Sequence, residues 1–258
     1  MAENTKKLIY PELLESKKAG KKKLAILIDP DKIKLGNLDR ILKSSIDAGV
    51  NYFYIGGSLI VNNMLDHCLD IIKDACDIPI VLFPGNSFQL SYKADAILFL
   101  SLISGRNPDL LIGHHVISAP FLKLSPLEII STGYMLINGG VDTTVSYISN
   151  TKSIPADKDD IAVCTAVAGE MLGLKLIYLE AGSGARYPVS NDMIEKVSGA
   201  VSVPLIVGGG IRTPEKALSN LQSGADILVV GNAIENEPGL INELAEAVHT
   251  YSFAKITG

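Results

Sequence analysis

Tryptophan is absent from these 258 residues, and aromatic side chains make up only 6% of them. The few aromatics are not interleaved with basic residues, which removes the stacking platform that a nucleic acid would need, so no nucleic-acid partner is expected. No uninterrupted apolar run approaches the ~18 residues of a membrane span, although 47% of the chain is hydrophobic. A secretory apolar segment is missing from the N-terminus. The three cysteines, Cys68, Cys76 and Cys164, form neither an even disulfide framework nor a metal-ligand pair. Reduced thiols and a cytoplasmic location are expected. Positive charge is also in deficit, with a formal net charge of -5. Even so, Lys6, Lys7, Lys17, Lys18, Lys21, Lys22 and Lys23 crowd ahead of the first apolar run. Such a cluster is compatible with transient contact with an anionic membrane surface. The plainer reading is the solvated face of a first helix over 11–19, stopped by Gly20.

What the chain does have is alternation. Short apolar runs at 24–28, 52–55, 80–83, 96–100, 132–137, 176–179, 205–207 and 227–230 read as strands buried on both faces. Helical periodicity fills 37–48, 60–75, 108–116, 157–172, 192–199, 214–223 and 238–251, while 87–93 is barely two turns long. Thr213 before Pro214 marks one helix start, and Gly49 and Gly224 mark two helix ends. Eight βα repeats in about 250 residues predict one closed (β/α)8 TIM barrel over 1–258, preceded by the helix at 11–19. The one long connection, 138–156, is rich in Gly, Asp, Thr and Ser, and a loop of that length in a compact domain is usually functional.

In such a barrel the chemistry sits at the C-terminal ends of the strands. Asp29 and Asp31 follow the first strand and Ser58 the second, offering hard oxygen ligands for magnesium; alternatively the two acids only cap a turn around Pro30. Glu180 ends the sixth strand and can take a proton from a hydroxyl, unless it is spent in an ion pair with Arg186 or Lys32. Tyr178 shares its face, as alternate strand residues do, and is either a partner of Glu180 or core. Three glycine-rich ends, Tyr178-Leu179-Glu180-Ala181-Gly182-Ser183-Gly184, Val207-Gly208-Gly209-Gly210-Ile211 and Val229-Val230-Gly231-Asn232-Ala233, bring backbone N–H groups to one anion. Phosphate binding after strands seven and eight is the firmest functional expectation. His114 and His115 read as surface or packing residues, and His67 and His249 are isolated. Arg106 and Lys123 read as solvated charge.

At these positions the chain resembles the geranylgeranylglyceryl phosphate synthase family, also called the PcrB-like prenyltransferases. The matching motifs are Ile28-Asp29-Pro30-Asp31-Lys32, Gly56-Gly57-Ser58, the stretch from Phe99 to Pro108, Tyr178 to Gly184, Val207 to Arg212, and Gly231-Asn232. The resemblance implies transfer of an allylic isoprenyl group from geranylgeranyl diphosphate or another polyprenyl diphosphate to a hydroxyl of sn-glycerol 1-phosphate, in ether-lipid synthesis. It assigns Mg2+ to Asp29 and Ser58. It assigns glycerol 1-phosphate to Tyr178 through Gly184 (Leu179, Ala181, Gly182 and Ser183 included), Gly209, Gly210, Gly231 and Asn232. Glu180, with Tyr178, would orient or deprotonate the attacking hydroxyl. The 138–156 loop, with Asp142-Thr143-Thr144, resembles the longer form of the family, whose members assemble as dimers or hexamers. An apolar groove for the tail is expected at the strand ends 81–83, 97–102 and 134–137.

Two rival barrels are weighed on residues. A Schiff-base aldolase needs a lysine at a strand's C-terminal end, whereas Lys175 precedes the sixth strand and Lys32 lies in a loop. A sugar isomerase of the two-acid type would pair Asp29 with an acid after strand five, for which Asp142 is several residues late. A catalytically silent phosphate-binding barrel is the rival from a different class.

Overall fold

In the computed structural model, which describes residues 8–33, 35–59, 61–62, 64–86 and 89–257, all eight apolar runs are strands. They are β1 (Lys23–Ile28), β2 (Tyr52–Ile55), β3 (Ile80–Leu82), β4 (Ala96–Leu102), β5 (Glu128–Leu136), β6 (Leu176–Glu180), β7 (Leu205–Gly208) and β8 (Ile227–Val230). Each pairs in parallel with the next, and β8 returns to β1 with Lys23 opposite Ile227 and Ile26 opposite Val230. The sheet is therefore the closed barrel expected.

Alternation along each strand sorts the apolar residues into two cores. Ala25, Tyr52, Tyr54, Val81, Leu98, Tyr134, Tyr178, Ile206 and Val229 fill the barrel, while their neighbours Ile26, Phe53, Leu82, Met135, Leu179, Val207 and Leu228 pack outward against helices. Both faces of every strand are thus apolar, which is why the runs in the sequence are continuous rather than alternating.

The helices are α1 (Ile9–Lys18), α2 (Leu35–Ala48), α3 (Leu65–Ala75), α4 (His114–Leu124), α5 (Thr144–Ser149), α6 (Asp159–Met171), α7 (Asn191–Ala200), α8 (Pro214–Gln222), α9 (Asn232–Asn236) and α10 (Leu240–Thr257). Thr213 caps α8 by accepting the Lys216 N–H at 3.2 Å, with Pro214 at the first helical position as read from sequence. Four expectations need correction. The helix expected from 60 starts at Leu65, Ile60 itself lying outside the described residues. No helix follows β3 among the described residues of 84–95; the stretch instead folds around the buried Gln89, while Ser87 and Phe88 lie outside them. The helix expected over 108–116 is a π-turn, Asp109–Gly113, feeding the longer α4. The 138–156 loop contains α5, whose Thr143 and Ser146 form a reciprocal capping box.

The N-terminal end of the barrel is plugged. Ile9 and Leu13 of α1 join the interior core, and the Glu128 carboxylate accepts the N–H groups of Ile9 and Tyr10 at the start of the helix. The lysine cluster is only partly a solvated face: the buried Asp226 binds Lys17 at 2.8 Å and Lys22 at 2.9 Å, and Lys23 pairs with Glu12. Lys18 and Lys21 remain exposed, and Lys6 and Lys7 lie outside the described residues. Among the described residues no helix is long and apolar enough to cross a membrane.

Candidate active site

Glu180 stands at the C-terminal end of β6, on the inward side, only 6% exposed. Its Oε1 accepts the Gly182 N–H at 2.7 Å, and no described ion pair involves it, so neither Arg186 nor Lys32 neutralises it. Lys32 is instead on Asp29. Burial pushes the Glu180 carboxyl up to about 6, against the opposing pull of the Gly182 N–H and the Tyr178 hydroxyl. An acid poised there is ionised at neutral pH and still able to hold a proton.

Glycine makes room for this carboxylate. A Cβ on Gly208 would lie 2.6 Å from Glu180 Oε2 and 2.5 Å from Tyr178 Oη. At Gly209, whose φ of +82° already favours glycine, a Cβ would come within 2.5 Å of Glu180 Oε1. The loops after β6, β7 and β8 therefore close around one cavity of about 100 Å³. Gly182, Ser183, Gly184, Gly209, Gly210, Gly231 and Asn232 line it, with the Ser183 hydroxyl bonded to Asn232 Oδ1 at 3.0 Å across the mouth.

Opposite Glu180, Asp29 and Ser58 line the same cavity. The turn-capping reading of the D-P-D sequence is partly met, since Asp29 Oδ1 accepts the Asp31 N–H at 3.1 Å. The other oxygen, Asp29 Oδ2, carries the Lys32 ammonium at 2.8 Å. A Cβ on Gly57 would lie 2.7 Å from that oxygen, so glycine keeps space open beside it. Asp31 turns away to accept the Val61 and Asn62 N–H groups, tying the loop after β2 to the loop after β1. Among the described residues no cluster of three or more acids, histidines or cysteines could hold a metal ion. Asp29 with Ser58 nevertheless fits magnesium, which commonly takes one or two protein oxygens and completes its shell from substrate phosphate and water.

Where no helix follows β3 among the described residues, a second cavity of about 330 Å³ lies between β4, the loop after β3 and the inner side of α4. Phe83, Ile97 to Leu100, Leu102 and Tyr134 line it, in agreement with the expected groove, whereas Val81, Leu82 and residues 135–137 do not. Gly57, Ser58, Phe83, Tyr134 and Val145 line both cavities, so the polar and apolar spaces meet at the barrel mouth.

Tyr178, Leu179 and Ala181 line neither cavity. Tyr178 lies one layer below, stacked on Phe83 at 5.5 Å and edge-on to Tyr134 at 5.2 Å; burial and then the Glu180 charge hold its phenol far above its ordinary pKa, so it stays protonated. Leu179 and Ala181 face the outer core, Ala181 donating its N–H to Gly208. Sequence reasoning missed Gln89, Arg212, Glu235 and the role of His115. Gln89 donates to Gly57 O at 2.9 Å and accepts from Gly85 N at 3.0 Å, holding the loops after β2 and β3 together. Arg212 and Glu235 line the polar cavity, and Arg212 was already inside a quoted motif. His115 is a packing residue as read, but what it packs is the wall of the apolar cavity, with Nε2 3.2 Å from Ser101 Oγ and burial keeping it neutral. The residues weighed for the rival chemistries are engaged elsewhere: the Lys175 ammonium lies over the Tyr10 ring, 5.2 Å from its centre, at the plugged end, Lys32 lines the polar cavity but is paired with Asp29, and Asp142 is exposed outside both cavities.

Strand-end glycines surround a small mouth with an acid at its floor, and the loops after strands seven and eight are where phosphate-binding (β/α)8 barrels hold their ligand; the chain has the fold and the glycine-lined mouth of that class. The fold alone does not decide the reaction. The chain belongs to the PcrB family, whose model matches residues 17–249. It is 58% identical over 241 residues to a geranylgeranylglyceryl phosphate synthase of Chitinophaga pinensis, covering 93% of this chain and 96% of that one. A Spirosoma linguale protein of the same name is 51% identical over 240 residues, covering 93% and 96%. The solved (S)-3-O-geranylgeranylglyceryl phosphate synthase of Thermoplasma acidophilum, in complex with sn-glycerol-1-phosphate, superposes with a TM-score of 0.88 at 32% identity, covering 94% of this chain and 98% of that one.

Proposed function

We propose that this protein is a geranylgeranylglyceryl phosphate synthase, joining the isoprenyl group of geranylgeranyl diphosphate to sn-glycerol 1-phosphate through an ether bond. The observation that carries the reading is the junction of two unlike spaces. A glycine-walled polar cavity with a buried carboxylate opens directly onto an apolar cavity more than three times its volume. Glycerol phosphate fits the first and a prenyl tail the second, which puts hydroxyl and allylic carbon at the shared rim.

Glu180 holds the hydroxyl and accepts its proton as the oxygen attacks the allylic carbon. The bond from that carbon to diphosphate breaks with its electron pair leaving on the diphosphate oxygen, so no covalent enzyme intermediate is needed. Tyr178 keeps Glu180 in place from below rather than touching substrate. Asp29 and Ser58 are the residues that would hold magnesium, which when bound supplies positive charge to the departing diphosphate. The Thermoplasma acidophilum complex supports the glycerol-phosphate side of the assignment.

A homo-oligomer, dimer or hexamer, belongs to the same reading. It is supported by Ile112, Val116, Ile117, Phe121 and Leu124, exposed by 58–83% on the outer side of the π-turn and α4. Three unpaired cysteines support a cytoplasmic site of action. The test is product formation from geranylgeranyl diphosphate and each enantiomer of glycerol phosphate, with magnesium and with chelator. Ether product from the 1-phosphate alone, abolished by chelation and restored by Mg2+, is expected; no product with any donor length refutes the assignment.

A further inference from the structure

Two cationic side chains line the polar cavity among the described residues, and they are held very differently. Arg212 is fixed by a 2.6 Å bond from Nη2 to Ala185 O. Among the described contacts, Lys32 is anchored through its 2.8 Å contact with Asp29 Oδ2, and its side chain is 58% exposed. That contact covers the Asp29 oxygen next to Gly57, on the carboxylate that would hold magnesium. An ammonium and a divalent cation repel one another, so a divalent cation held by Asp29 would weaken the Lys32 contact.

Glu235, from α9, lines the cavity within electrostatic reach of both Lys32 and Asp29, and burial followed by the Asp29 charge raises its pKa against the lowering influence of Lys32. The mouth is thus acidic, and Lys32 is its internal counter-ion. A diphosphate reverses that balance. Its tail in the apolar cavity leaves it at Gly57 and Ser58, which line both spaces, next to the loop bearing Lys32.

We propose that Lys32 binds the diphosphate of the prenyl donor, leaving Asp29 as it does so, and neutralises charge on the departing group. This rests on the prenyltransferase reading and adds a residue to it. The ammonium serves as a stand-in cation that keeps Asp29 ordered between turnovers. Its flexible four-carbon stem lets it follow the leaving group while Asp29 stays fixed.

The test uses the full-length protein, its Lys32→Met and Lys32→Arg variants, inorganic pyrophosphate followed by calorimetry, and Mn2+ binding followed by electron paramagnetic resonance. Lys32→Met should bind pyrophosphate about tenfold or more weakly, as expected for loss of a charge-assisted contact, while Mn2+ alone binds at least as tightly because its competitor is gone. Lys32→Arg should recover most of the pyrophosphate affinity. In turnover, the loss should fall on the prenyl donor's KM and kcat and leave the KM for glycerol phosphate unchanged. Wild-type pyrophosphate affinity in Lys32→Met overturns the proposal. So does a parallel fall in Mn2+ and pyrophosphate affinity, which would mean that Lys32 only shapes Asp29. A wild-type protein that forms no ether product and binds no pyrophosphate removes the prenyltransferase reading together with it.

Discussion

Replacing Glu180 by glutamine should destroy activity and strengthen the fold at once. The glutamine side chain keeps an oxygen for the Gly182 N–H, now bound at 2.7 Å, and has the same shape, so the cavity is preserved. It removes a charge whose burial raises the carboxyl pKa from its ordinary 4.5 to about 6. The folded pKa lies above the unfolded one, so the unfolded state holds the charge more readily. The native state therefore loses stability as pH rises from 4.5 to 6 and carries the full deficit above that window. At about 1.4 kcal/mol per pKa unit the deficit is about 2 kcal/mol. Denaturant unfolding at about pH 8 should show Glu180→Gln more stable by that amount, with the difference shrinking to nothing near about pH 4, where both side chains are neutral. Turnover should fall by about 10²–10⁴-fold, the usual worth of a positioned base, and wild-type kcat/KM should rise with pH to a plateau above about 6. Equal stability of the two proteins under the alkaline condition, or a variant that keeps wild-type turnover, would refute the reasoning.

Other outcomes follow from the same geometry. Ser118→Phe places a ring in the apolar cavity of about 330 Å³; turnover of geranylgeranyl diphosphate should drop about tenfold or more while shorter allylic diphosphates are retained, as the product profile would reveal. Asp226→Ala strands Lys17 and Lys22 and leaves the Leu205 N–H without its 3.0 Å partner at the plugged end. It should cost about 3–5 kcal/mol in unfolding free energy, with kcat of the remaining folded protein unaltered at room temperature, because the chemistry sits at the opposite face.

The strands were legible because burial on both faces makes each an unbroken apolar run, and Asp29, Ser58, Glu180 and the glycines were legible because a closed barrel places every strand's C-terminal end at one mouth. The gap after β3 was not. Residues 84–95 have the length of a helical connection, and what ties their described residues to the loop after β2 is Gln89, bonded to Gly57 across the fold and to Gly85 nearby, a pairing that no periodicity encodes. His115 was misplaced in emphasis because α4 is apolar on its outward side and turns polar His115 and Ser118 inward, inverting the usual pattern of a surface helix. Leu179 and Ala181 lay inside a motif whose neighbours face the cavity, and strand alternation turns their side chains the other way. The capping box of α5 lies in a stretch read only as loop, and Ser146 stands where the sequence signature has glutamate or glutamine, so the structure alone reveals it.

The break in the helical layer beside β3 changes what size of molecule the barrel can work on. The mouth by itself offers about 100 Å³, against about 330 Å³ in the cavity beside β4. With no helix after β3 among the described residues, the side wall carries a cavity of about 330 Å³ lined by α4 and the loop after β3. Under the proposed prenyltransferase reading, the space for a hydrocarbon lies in that side wall rather than inside the barrel, and the eight closed strands are those of any such barrel.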